Sequence, residues 1–197
     1  SISTVPKAGS SAVRHACTRA EYRGSKIDWA TRREQLTVNP HEQQGRNAYY
    51  SRGGGGTAYF FDNSPALNTV VKTANSTDVV SHETGHALLD GLRPGFFSTH
   101  DLETGAFHEA FGDILSQVVT LQNDAAIDKI VAETDGTGDL SSKRNSLSDV
   151  GEDFGNALGL KGGIRTTLNE FKYADPATLP DAEATEVFRS RGVDLMF

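Results

Sequence analysis

Cysteine is almost absent from this chain, with Cys17 alone among 197 residues. That excludes an internal disulfide framework and a cysteine-built structural zinc site. A thiolate can block a metal ion in a latent protein, but no spacing around Cys17 supports it, and it reads as an idle or buried thiol. Positive charge is short as well. Lys and Arg number 19 against 26 Asp and Glu, a formal net charge of -7. Nucleic acid and anionic membrane surfaces both require a basic face, so neither is expected as the principal partner. No apolar run is long enough to span a bilayer. No secretory signal precedes the body of the chain, and the start at Ser1 leads us to expect processing upstream. What is present suffices for a core: 37% hydrophobic residues, with 10 Phe and 5 Tyr. Wholesale disorder is excluded.

The first 12 residues are small and polar, a loose lead-in. Residues 13–35 are charged and weakly periodic, and a helix is the expectation there. We divide the chain into a partly helical lead-in (1–34), a main domain (35–176) and a short tail (177–197). Within the domain, Asn47 to Ser51 and Thr57 to Asp62 are rich in aromatic and β-prone residues and flank Gly53 to Gly56. Two strands joined by a glycine turn fit this pattern. The glycines lack the Lys and Ser/Thr of a phosphate loop, so they form a hairpin tip. A helix is expected from Ser76 or Thr77 to Gly91, with Pro94 beyond it. A second is expected over 104–122, apolar at Ala106, Ala110, Ile114, Val118 and Leu121, and a third over 124–133. Residues 135–149 read as an exposed loop, and a last helix is expected over 181–189. Strands first and helices later give an α+β class.

His82-Glu83-Thr84-Gly85-His86 is an HExxH pattern. Residues four apart lie on one helical face, so both imidazoles can reach one ion. Glu83 is rotated by about 100° from His82, beside the ion, where it can hold and deprotonate a water. Such a site needs a third protein ligand and an open position. Glu109 and Asp113, again four apart, supply it: Glu109 to bind the metal, Asp113 to accept a ring N–H from a ligating histidine. Both acids sit beside Phe107, Ala110, Phe111 and Ile114, where an uncompensated carboxylate is costly and a cation opposite resolves the cost. His108 is a rival ligand, pointing about 100° away from Glu109.

HETGH followed by GAFHEAFGD resembles the thermolysin-like zinc metallopeptidases of the gluzincin group, with their HExxH and glutamate-bearing helices. Arg46 to Tyr50 is similar to the family's Asn-Ala-aromatic edge strand, and Asp78 to His82 to its lead-in to the zinc helix. Asp149 to Asp153 resembles a calcium-binding turn. Ile164-Arg165, with Lys172 to Pro176 after it, resembles the segment whose arginine binds a substrate carbonyl. The resemblance implies a zincin-like fold, a small and mainly antiparallel sheet packed on the two site helices. It implies Zn2+ on His82, His86 and Glu109, with Glu83 as general base and Asp113 orienting His82. It also implies a peptide or protein substrate held by Asn47, Ala48 and Arg165, and secretion. One Ca2+ on Asp78, Asp149 and Glu152 is the further expectation; Thr120 and Leu147 stand where the family carries acids. Two family oxyanion donors are unmatched. Only 21 residues follow Pro176, none of them His, and Phe97 or His100 stands where a tyrosine is expected. His100 is the substitute donor. Each lost donor costs on the order of 10² to 10³ in rate. The expected activity is that of a zinc endopeptidase. A weakly active or inactive zinc-binding relative that holds a peptide partner, and a zinc hydrolase of small amides or esters, are the alternatives.

Overall fold

The computed structural model describes residues 20–22, 25–31, 35–99 and 102–169. These form an α+β arrangement of short strands followed by helices. The expected helix over 13–35 is not found in its described part. Instead β1 (Ala20–Tyr22) and β2 (Ser25–Ile27) pair antiparallel, with Tyr22 opposite Ser25. The physical reason is that a weak helical period is a poor guide where strands are only three residues long.

The glycine-turn hairpin is present. β4 (Ala48–Ser51) and β5 (Gly56–Tyr59) pair antiparallel on either side of residues 52–55, and Gly55 takes a φ of 82° that suits glycine. A third strand, β3 (Thr37–Asn39), runs parallel to β5 on its other side, giving the order β3-β5-β4. Gly56 permits that approach, because a Cβ there would stand 1.8 Å from the Thr37 carbonyl oxygen. All four residues of the central strand are buried, and β4 remains an edge. The expected single strand over 57–62 breaks at Phe60. Beyond it β6 (Phe61–Ser64) turns back on β7 (Thr69–Lys72) as a separate hairpin. Buried Thr73 ties the two sheets: its hydroxyl accepts the Phe60 N–H at 2.9 Å and lies 3.0 Å from the Asn47 carbonyl oxygen.

Three helices lie where the periodicity placed them. α1 spans Thr77–Leu92 and a short α2 spans Pro94–Ser98. α3 spans Leu102–Thr120, and α4 spans Asp124–Glu133 with the Asn123 side chain capping two N–H groups. Further on, β8 (Asp149–Val150) pairs with β9 (Arg165–Thr166), and α5 (Glu152–Ala157) lies between them. Residues 170–197, including the segment around Lys172 and the expected last helix, lie outside the described residues.

The core joins sheet to helix through Trp29, Leu36, Tyr50 and Ala87. Beside it stands a charged clamp. Asp90 of α1 is wholly buried and accepts the Tyr50 hydroxyl at 2.7 Å and the Arg52 Nε at 3.0 Å, with Arg52 Nη2 on its other oxygen. Arg52 also donates to the Pro94 carbonyl at 2.7 Å and covers the Phe97 ring at 5.0 Å. One guanidinium thus fastens the β4 end to both α1 and α2. Removing one partner of a buried pair leaves a charge without compensation. Arg52→Met is therefore expected to lower unfolding stability by about 3 kcal/mol, the low end for such pairs because Arg52 keeps 31% of its side chain in water. Urea unfolding checks this, and a loss under about 0.5 kcal/mol, the range of ordinary surface changes, would contradict the clamp.

Candidate metal centre

α1 and α3 cross where each has a glycine. A Cβ on Gly85 would stand 2.8 Å from the Gly112 Cα, and a Cβ on Gly112 would stand 2.7 Å from the His82 Nδ1. The missing side chains let the backbones close up and leave room for the imidazole. On this crossing His82 and His86, one turn apart on α1, face Glu109 on α3. His82 Nε2 is 3.2 Å from Glu109 Oε2, and His86 Nε2 is 3.4 Å from Glu109 Oε1. The two rings stand nearly perpendicular, with centroids 4.7 Å apart. Each residue offers one ligand atom within 4.8 Å of the others, and among the described residues this is the one such group of three or more His, Cys, Asp or Glu. The group could hold a metal ion.

Behind it sits Asp113, 1% exposed, with Oδ1 2.6 Å from His82 Nδ1. Arg165 on β9 binds the same carboxylate through two nitrogens, at 2.8 and 2.7 Å. The arginine therefore neutralises the buried acid and steadies its hydrogen bond to the ring. Arg165 is thus held by Asp113 and lines the cleft. Burial opposes ionisation of Asp113 and Glu109, but the hydrogen bonds from His82 outweigh it for both, helped by Arg165 at Asp113 and by His86 at Glu109. Both carboxyls are held below their usual range. Burial likewise opposes a charge on His82, and its bonds to Asp113 and Glu109 push its pKa up to about 9.

Glu83 is buried beside this group, and its carboxylate accepts the main-chain N–H of Tyr50. Burial raises its pKa above the ordinary carboxylate value. The cleft above has a volume of about 490 Å³ and is lined along one side by Asn47 to Tyr50 of the edge strand. The Asn47 and Ser51 carbonyls point inward, to Phe60 and Gly55. By the two-residue alternation of a strand, the main-chain groups of Ala48 and Tyr50 then point to the open edge. Val79, Val150, Phe154 and Ile164 give the cleft apolar walls, with Phe96 and Phe97 contributed by α2.

His108 lies outside the group of three, in line with its direction from Glu109; it is buried beside His86, with Nδ1 to Nδ1 at 3.3 Å. One expectation needs correction. The three acids assigned to calcium are not gathered into a cluster, because each has another partner. Asp149 pairs with Arg144 at 2.8 Å and Glu152 with Lys129 at 3.2 Å. Asp78 accepts the N–H groups of Gly151 and Glu152 and lies 3.5 Å from the Thr120 hydroxyl. His100 lies outside the described residues. Residues missed in the sequence are Gly85 and Gly112, and the Arg52–Asp90–Tyr50 clamp. The signal for the glycines was there, since glycine inside a helix is unfavourable unless packing requires it.

Two outcomes follow. Gly112→Ala drives a methyl into the His82 ring, and we expect metal affinity to fall by at least about tenfold with helix content kept, as calorimetry and circular dichroism would report. Undiminished affinity would contradict the crossing. In metal-free protein, the raised pKa of His82 contributes stability fully present below the ordinary value of 6.5, lost as pH climbs through about 9. The melting temperature of chelator-treated protein should therefore fall across that window; a rise would contradict the ring's ion pairs.

Searches against known protein families, curated proteins and solved structures found no match for this chain.

Proposed function

We propose that the chain is a zinc-dependent endopeptidase with a zincin-like, thermolysin-like catalytic domain. The observation that carries the reading is the spacing of its donors. Ligands at about 2.0–2.1 Å from a tetrahedral ion stand roughly 3.4 Å from one another. The histidine-to-glutamate distances, 3.2 Å from His82 to one carboxylate oxygen and 3.4 Å from His86 to the other, are close to that edge, and one atom from each of the three residues lies within 4.8 Å of the others. Two imidazole nitrogens and a carboxylate are a donor set that zinc accepts, with a fourth position left for water or substrate. Bound there, zinc supplies a Lewis acid and lowers the pKa of water from 15.7 toward about 7.

The chain's own groups carry the rest. Glu83 takes a proton from the attacking water on a carboxylate oxygen and later delivers it to the leaving amine. Its raised pKa suits a base that must also act as an acid. A peptide lies along β4 as an added strand, bonded to the open main-chain groups of Ala48 and flanked by Asn47. Arg165, fixed by Asp113, is the cation that meets a substrate carbonyl. Apolar side chains of the substrate fill the walls formed by Val79, Ile164 and Phe154.

A second reading, in which the domain holds zinc and a peptide without turning it over, draws on Phe97. Its ring packs against Tyr50 and His108 and brings no hydroxyl to the cleft wall. A quenched-peptide assay decides between them. We expect cleavage to stop with a chelator, return with zinc, and fall about 10²- to 10⁴-fold in Glu83→Gln with zinc binding retained. Cleavage indifferent to the chelator or to Glu83→Gln would contradict the peptidase. Tight zinc with no cleavage of any peptide favours the second reading.

A further inference from the structure

His108 has one nitrogen facing His86 and the other without a hydrogen bond among the described residues. The ring is 6% exposed, its Nε2 has no hydrogen-bond partner among the described residues, and its Nδ1 is 3.3 Å from the Nδ1 of His86. His86 turns its other nitrogen, Nε2, toward Glu109 and the metal position. Two ring nitrogens that face each other share one proton. If Nε2 of His86 gives its lone pair to an ion, that ring must carry its proton on Nδ1, and the nitrogen facing it must be bare. His108 then holds its single proton on Nε2, the orphan atom.

We infer that His108 is the positioning residue for His86, a neutral ring that accepts the His86 Nδ1–H on its own Nδ1 and so presents His86 Nε2 to the metal. The inference rests on the metal-centre reading above. It makes the two ligating rings unequal. His82 donates to the carboxylate of Asp113, whereas His86 donates to an uncharged imidazole. A carboxylate acceptor raises ligand basicity more than a neutral one does, so His86 is the weaker arm of the centre. The position of His108 is in turn set from outside the site. Phe97 stands edge-on to it at 5.6 Å and is itself held by Arg52 at 5.0 Å and Tyr50 at 5.4 Å. The buried clamp at Asp90 thereby reaches the ligand shell through one aromatic ring and one imidazole.

Zinc titration against a competing chelator, on wild type, His108→Phe and His108→Asn, tests this. Phenylalanine keeps the ring and loses the acceptor, and should weaken zinc binding about 10- to 100-fold. Asparagine sets a carbonyl oxygen where Nδ1 was and should restore most of that loss. Nitrogen-15 spectra of the zinc-loaded wild type, which need no variant to fold, should show a proton on Nδ1 of His86 and on Nε2 of His108. His108→Phe binding zinc like wild type, His108→Asn as weak as His108→Phe, or His86 ligating through Nδ1 would each overturn the inference alone. Failure of wild type to take up zinc would overturn the metal centre and this inference together.

Discussion

Two helices cross here glycine against glycine, and the site depends on that contact. Gly85 and Gly112 bring the backbones of α1 and α3 so close that a methyl on either would collide. Each glycine costs its helix about 1 kcal/mol relative to alanine. The return is geometric. Glu109, three residues before Gly112, comes within about one tetrahedral edge of both His82 and His86, and Asp113, one residue after it, reaches the back of the His82 ring. The glycine just before the second histidine of HETGH and the glycine before Asp113 are thus as much a part of the candidate centre as the groups that face it.

The close crossing also buries charge. Asp113, Glu83 and His82 are buried, where water gives little help, while Glu109 keeps 45% of its side chain exposed in the cleft. A buried carboxylate is tolerated only with a partner. Arg165 serves Asp113, the Tyr50 N–H serves Glu83, and the two imidazoles serve Glu109. In metal-free protein this makes His82 a proton holder, because the ring supplies the positive charge that an ion would otherwise bring. Metal uptake must then release that proton. The edge strand is fastened to the same helix by Asp90, which accepts the Tyr50 hydroxyl and the Arg52 Nε.

Much of this was legible in the sequence because it is local. α4 runs over Asp124–Glu133, the same residues its periodicity and the Asn123 cap suggest, and α1 ends at Leu92, just short of Pro94. That His82 and His86 share a face, and Glu109 and Asp113 another, was legible from spacing, since residues four apart share a helical face whatever the rest of the fold does. The failures are non-local. The acids expected to bind calcium are taken up by Arg144, Lys129 and the N–H groups of α5, partners that no spacing reveals. His108 was set below Glu109 by its direction on the helix, but its contact with His86 on the other helix was beyond any spacing. The β1–β2 pair was missed because a weak helical period was read across strands of three residues each.

The central claim is that one ion sits between His82, His86 and Glu109, and X-ray absorption at the zinc edge on freshly loaded protein tests it most directly. The account predicts one zinc per chain with two nitrogen neighbours at about 2.0–2.1 Å, a carboxylate oxygen at about 2.0–2.2 Å and one further light atom. A shell containing sulfur or made of oxygens alone, or a stoichiometry near zero, would contradict it.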